Sequence, residues 1–121
     1  MKYNVKITKI GDMALDFLSE DMLIIFNNNA PEELAEISVL HEISELKEEV
    51  VVGDKFTLGD DVYTVTAVGY EANQTLKKMG HCSLKFDGAD APQLPGCIHL
   101  KGENNPNIKV GKNITIEKGG F

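Results

Sequence analysis

The sequence predicts a mainly β protein: a small closed or partly closed β-barrel of seven or eight short strands with one or two short helices. Three observations predict it. Apolar residues recur with period two in short runs, and Gly, Asn and Asp turns separate those runs. So many short strands expose sheet edges unless the sheet closes on itself. The 121 residues suit one domain, taken as 1–121, and 42% hydrophobic with 26% charged residues is ordinary globular usage.

Taken in order, Tyr3, Val5 and Ile7 alternate with Asn4 and Lys6 and read as a half-buried strand. Met22 to Phe26 is a continuous apolar run closed by the turn cluster Asn27-Asn28-Asn29. Pro31 to Glu36 reads as a short helix, with Asn29 before it as a cap, Pro in the first turn and acids at the positive end of the dipole. Around His41, strand alternation sets Ile37, Val39, His41 and Ile43 on one face and Leu40, Glu42 and Ser44 on the other. Phe56 and Leu58, then Tyr63, Val65 and Ala67, give two further alternating strands. Ala72 to Met79 reads as a helix with Leu76 and Met79 on one side and Gly80 as its stop. Strands follow at Leu84 and Phe86, at Ile98 and Leu100 around His99, and at Ile114 and Ile116 around Thr115. Val52 to Leu58 echoes Val110 to Ile116 step by step, which shared β-turn grammar explains more simply than a duplication.

Composition excludes several functions. The formal charge is −7, and all twelve basic residues are Lys with no Arg, which argues against nucleic acid as a partner. The longest apolar run is far short of the ~20 residues that span a bilayer. The amino terminus alternates and has no signal-peptide apolar block, so no direct membrane insertion and a cytoplasmic location are expected. Cys82 and Cys97 are too few for a disulfide framework and read as small buried apolar residues. No Gly-x-Ser-x-Gly, Gly-x-x-x-x-Gly-Lys-Ser/Thr or His-Glu-x-x-His motif is present, so phosphoryl chemistry would have to start from an activated donor.

Three histidines carry what chemistry the chain offers. His41 stands in line with apolar residues, and two readings remain open for it. One is a core histidine bonded to a backbone carbonyl. The other is a neutral imidazole nucleophile in a shallow apolar site, with Glu42, Ser44 or Glu45 fixing its tautomer. His81 follows the helix stop, where it can bond terminal carbonyls. Cys97-Ile98-His99 with His81 and Cys82 invites a zinc reading, but the spacing matches no paired-ligand knuckle and no metal site is assigned.

The chain resembles the glucitol/sorbitol-specific enzyme IIA component of the bacterial phosphoenolpyruvate-dependent sugar phosphotransferase system. The likeness runs from near residue 5 to near residue 117. It is carried by Ile7-Thr8-Lys9-Ile10-Gly11, Leu18 to Ile24, Ala30-Pro31-Glu32-Glu33-Leu34, and Leu40-His41 with Glu45-Leu46-Lys47. Tyr63 to Gly69, Leu76 to His81, Leu84-Lys85-Phe86-Asp87-Gly88 and Pro95-Gly96-Cys97-Ile98-His99 continue it. The resemblance implies that His41 is the phosphorylated histidine. Family members often have His-x-His-Gly-Glu-Leu where this chain has His41-Glu42-Ile43-Ser44-Glu45-Leu46, so a second histidine is absent here.

The resemblance also implies a relay. HPr would donate a phosphoryl group to His41, which would pass it to a cysteine of the sorbitol-specific IIB domain of the IIB/IIC permease. No cofactor is implied, because the donor is already a phosphoramidate. HPr surfaces in this family are basic around their histidine, which suits an acidic partner, and a flat apolar patch around His41 would suit transient docking. With no Arg, the phosphoryl oxygens would fall to backbone N–H groups, Lys47, His81 and His99 as phosphate neighbours, or the partner protein. Oligomeric state is left open. The alternative is a non-catalytic β-barrel that binds a ligand or regulates the permease.

Overall fold

Among the described residues eight strands form: β1 (Tyr3–Ile10), β2 (Met22–Asn27), β3 (Val39–His41), β4 (Lys55–Leu58), β5 (Asp61–Val68), β6 (Cys82–Lys85), β7 (Cys97–Lys101) and β8 (Asn113–Glu117). They close into a barrel in the order β1-β3-β2-β6-β7-β5-β4-β8, which removes every sheet edge as the turn-rich pattern requires. The structure, a computed structural model, describes residues 1–119. The pairs β2–β3 and β6–β7 are parallel and the other six are antiparallel. A parallel pair needs a crossover, and the β2-to-β3 crossover carries helix α1 (Glu32–Ala35).

The alternation read from the sequence becomes the inner face. Tyr3, Val5, Ile7, Leu23, Ile25, Val39, Phe56, Leu58, Tyr63, Val65, Leu84, Ile98, Leu100, Ile114 and Ile116 pack into one core cluster. Each fully buried large side chain there contributes about 1.5–3 kcal/mol relative to leaving it in water.

One end of the barrel is covered. Helix α2 (Ala72–Met79) supplies Ala72 and Leu76 to the core, and the irregular segment 42–50 supplies Leu46 and Val50. Asn73 joins the two by accepting the Val50 N–H at 2.7 Å and donating to the Val50 carbonyl at 3.0 Å. On the other side the Lys47 N–H donates to the Lys2 carbonyl at 2.9 Å. Lys2 Nζ reaches both the Glu49 carbonyl at 2.9 Å and Asp54 Oδ2 at 2.8 Å, and both side chains of that ion pair are buried. The cover is therefore tied to the wall on two sides.

Several expectations change in detail. The strand read through Ile43 stops at His41: the Glu42 N–H still bonds the Lys6 carbonyl, but the chain then leaves the wall and Ile43 is 59% exposed. A 3-10 helix over Ala14–Glu20, not expected from the pattern, packs beside β2 with Ala14 fully buried. Helix α1 takes Pro31 as its cap position and gains no side-chain cap from Asn29. The two echoed segments end as the adjacent antiparallel strands β4 and β8, entered through Gly53 (φ 95°) and Gly111 (φ 92°). Among the described residues no helix is long and apolar enough to cross a membrane.

Candidate functional site

His41 is the last residue of β3 and follows Val39 onto the inner face. Its β-ladder partners are Ile7 on β1 and Asn27 on β2. The ring is 0% exposed, beneath the covered end, and stands edge-on to the Tyr3 ring with centroids 6.0 Å apart. Among the described residues the ring has no shallow apolar surface site around it, because segment 42–50 and α2 close over that end. The exposed large apolar residues nearest to it in sequence are Ile43 and Leu34.

Both ring nitrogens of His41 face backbone acceptors. Nδ1 lies 2.8 Å from the Glu42 carbonyl oxygen, and Nε2 lies 2.8 Å from the Gly80 carbonyl oxygen. The tautomer is thus held by a backbone carbonyl and not by the Glu42, Ser44 or Glu45 side chains expected: Glu42 Oε1 accepts the Lys6 N–H at 2.9 Å instead, and Ser44 and Glu45 are exposed. Desolvation by burial lowers the His41 pKa below the ordinary imidazole value, outweighing the two carbonyls that raise it. At neutral pH the ring is therefore uncharged and carries one N–H. It can donate to only one of its two carbonyls, and the other nitrogen presents a lone pair.

Gly80 explains how the ring fits. It terminates α2 in the left-handed region at φ 60°, where its N–H returns to the Leu76 carbonyl. A Cβ at this position would lie 2.6 Å from His41 Cε1 and would also overlap Asn27 Oδ1. His41, Asn27 and Gly80 therefore form one tightly packed row inside the barrel end. Asn27 is 6% exposed and its Oδ1 has no hydrogen-bond partner. The sequence reading took Asn27 as the start of a turn. The signal that could have found it is the odd-numbered register Leu23, Ile25, Asn27, which points all three inward.

The other two histidines sit elsewhere. His81 is next to Gly80 in the chain, yet its ring lies over Phe26, centroids 4.7 Å apart, and is half-buried. Its Nδ1 donates to the Ile25 carbonyl at 3.1 Å and not to a carbonyl of the helix end. His99 is farther away. It stands beside Lys85 in the β6–β7 ladder, and Lys85 faces Met22, the opposite end of β2 from Asn27. Five residues of strand separate those ends, roughly 16 Å. His99 Nδ1 donates to Asp87 Oδ1 at 2.8 Å and Nε2 accepts the Gln93 N–H at 3.3 Å, so the ring fastens the loop before β7. Burial alone would raise the Asp87 pKa, but the hydrogen bonds from His99 and the Ala89 N–H bring it below the ordinary carboxylate value. The structure thus brings His81 to the margin of the His41 row and leaves His99 apart.

Cys82 and Cys97 are free, buried thiols, and burial pushes both pKa values up, which makes them poor nucleophiles. Among the described residues no group of three or more His, Cys, Asp or Glu side chains is arranged to hold a metal ion. Lys47 and Lys77 line a groove between segment 42–50 and α2, together with Leu46, Glu48, Asn73 and Gln74.

Comparison with known proteins gives one consistent result. Residues 2–115 match the family model described as the PTS system glucitol/sorbitol-specific IIA component. Two relatives, from Escherichia coli (strain K12) and Shigella flexneri, carry the name PTS system glucitol/sorbitol-specific EIIA component. Each is 40% identical over 115 residues, covering 95% of this chain and 94% of the relative. Among solved structures, the crystal structure of a PTS system IIA component from Enterococcus faecalis V583 superposes with a TM-score of 0.84 at 31% identity, covering 95% of this chain and 99% of the other.

Proposed function

We propose, from the premise that this chain belongs to the family of glucitol/sorbitol-specific IIA components of the sugar phosphotransferase system, that it is a histidine phosphocarrier acting through His41. In this reading phospho-HPr is the donor, and a cysteine of a sorbitol-specific IIB domain, working with its IIC permease, is the acceptor during uptake. The carrier works in the cytoplasm.

One observation carries the reading: a neutral His41 lies between two carbonyl oxygens and can satisfy only one. With Nδ1–H on the Glu42 carbonyl of its own strand end, Nε2 holds the free pair. That pair attacks phosphorus in line, the new P–N bond forms, and the P–N bond to the donor imidazole breaks with its electrons returning to the donor nitrogen. No proton has to move when the donor phosphoimidazole carries N–H on its other nitrogen. The donor ring then leaves as neutral imidazole, and His41 becomes a phosphoimidazolium whose Nδ1–H stays on the Glu42 carbonyl. Passage onward reverses the roles, with a IIB thiolate as attacking group and His41 Nε2 as leaving group. Because Nε2 is buried against the Gly80 carbonyl, transfer requires that carbonyl to swing away as the donor docks. The net charge of −7 favours encounter with a basic donor surface and predicts slower transfer as salt rises.

The test is acceptance of label from phosphoenolpyruvate with enzyme I and HPr present. Wild type takes acid-labile, alkali-stable label and His41→Ala takes none. A second reading is favoured by the partial exposure of His81: its Nδ1–H is held by the Ile25 carbonyl, which leaves Nε2 free to act as a nucleophile. Label that survives His41→Ala and disappears in His81→Ala would select it. His81 otherwise keeps the lesser role of a phosphate neighbour, and normal acceptance by His81→Ala would remove it from the site. His99, on the far side of the wall, has no step in either version.

A further inference from the structure

We propose that Asn27 is a catalytic residue of this carrier, whose carboxamide donates a hydrogen bond to the phosphoryl group while it is transferred to His41. The inference rests on the His41 reading and names a group that would meet the transferred oxygens in a chain without Arg.

Four observations converge on this residue. Asn27 and His41 are direct partners in the parallel β2–β3 ladder, and both side chains turn into the same end of the barrel. The Asn27 side chain is 94% buried by its 6% exposure, and its Oδ1 has no partner. An unpaired polar atom of this kind costs about 1–3 kcal/mol, which a leucine at the same place would not incur. Third, Gly80 is the point at which both side chains meet: a Cβ there would overlap Asn27 Oδ1 and His41 Cε1, so only glycine admits them side by side. Fourth, the His41 atom nearest that point is Cε1, next to Nε2, the nitrogen that carries the attacking pair in the tautomer proposed above.

Tyr3 Oη is also buried without a partner, but burial and the neighbouring Cys82 push its pKa up and it belongs to the core cluster. Asn27 is at the barrel end, beside the turn that leaves the wall at Asn28.

The chemistry follows from the carboxamide. A phosphoryl group offers only acceptor oxygens at neutral pH. A half-turn about χ2 of Asn27 presents Nδ2–H to it, and Nδ2 has two donors. The bond changes are those of the transfer itself: P–N forms at His41 Nε2 and P–N to the donor breaks. Asn27 neither gains nor loses a covalent bond. Its contribution is to hold a donor where charge gathers on the equatorial oxygens, in a site that excludes water.

The experiment compares wild type, Asn27→Leu, Asn27→Asp and His41→Ala for the single-turnover rate of label transfer from phospho-HPr, with thermal melts of each. Removing one such donor typically slows a reaction about 100-fold or more. Asn27→Leu is expected to melt no lower than wild type and to accept label about 100-fold more slowly. Asn27→Asp, nearly the same shape but carrying a charge that repels phosphate, is expected to be slower still, and it carries the test if the leucine variant fails to fold. A folded Asn27→Leu or Asn27→Asp that accepts label at the wild-type rate overturns the proposal while the carrier reading stands, provided His41→Ala takes none. Label retained by His41→Ala overturns the carrier site and this inference with it.

Discussion

On one side of the wall His99 donates from Nδ1 to Asp87 and accepts at Nε2 from the Gln93 N–H. On the other, His41 meets a carbonyl oxygen at both nitrogens, each at 2.8 Å. Both rings are fully buried, so exposure does not distinguish them. The complement of donors and acceptors does. His99 as the Nδ1–H tautomer is satisfied at both ends and has no electron pair to spare. His41, uncharged because desolvation lowers its pKa, must leave one carbonyl facing a lone pair. A mismatch of that kind costs about 1–3 kcal/mol and persists where something other than stability maintains it. Buried histidines are better sorted by what faces each nitrogen than by how deep they lie.

That contrast can be broken in three ways, from the largest effect to the smallest. Gly80→Ala puts a methyl against His41 and Asn27 at a left-handed backbone position. It should destabilise the fold by about 2–5 kcal/mol, measured by denaturant titration, and abolish label acceptance. A variant of wild-type stability and activity would mean that the row is not packed as described. His99→Ala strips Asp87 and the Gln93 N–H of their partner. It should cost about 1–3 kcal/mol in the same titration yet leave label acceptance close to wild type in the folded protein. Lost acceptance without lost stability would erase the distinction between the two rings.

The smallest effect is in the pH dependence of stability. A histidine whose folded pKa is depressed binds fewer protons in the native than in the unfolded chain. Stability is therefore complete above the unfolded value near 6.5 and falls as pH drops from there toward the folded value. For one proton the slope is at most about 1.4 kcal/mol per pH unit. Asp87 acts in a lower window: its contribution is present above the ordinary carboxylate value of 3.8 and is lost as pH falls through its depressed folded value. Stability curves from pH 8 to 4 should flatten below about 6.5 in His41→Gln, and a slope unchanged from wild type would assign it to another group.

Much of the fold was legible because β-structure here is written in period two. Tyr3-Val5-Ile7, Phe56-Leu58, Tyr63-Val65 and Ile114-Ile116 all became inner-face positions as their spacing predicts. The same rule overran its limit at Ile43. Alternation cannot show that the strand ends at His41, because its end is set by the departure of segment 42–50 to cover the barrel. The site was legible only in part. The resemblance singled out His41, and Gly80 was visible as a helix stop, but the contact between them joins residues 39 apart and depends on which strands pair. Asn27 was hidden by the strong turn character of Asn27-Asn28-Asn29. Its inward direction follows only from the ladder that sets it against His41.

The most direct test of the central claim is ¹⁵N-resolved NMR of the three imidazole rings at neutral pH, before and after phosphorylation by HPr. The account predicts an uncharged His41 with its proton on Nδ1 before transfer, and phosphorus bonded to His41 Nε2 afterwards, with His99 unchanged in both spectra. Phosphorus on His81 or His99, or a His41 ring doubly protonated at pH 7, would contradict it.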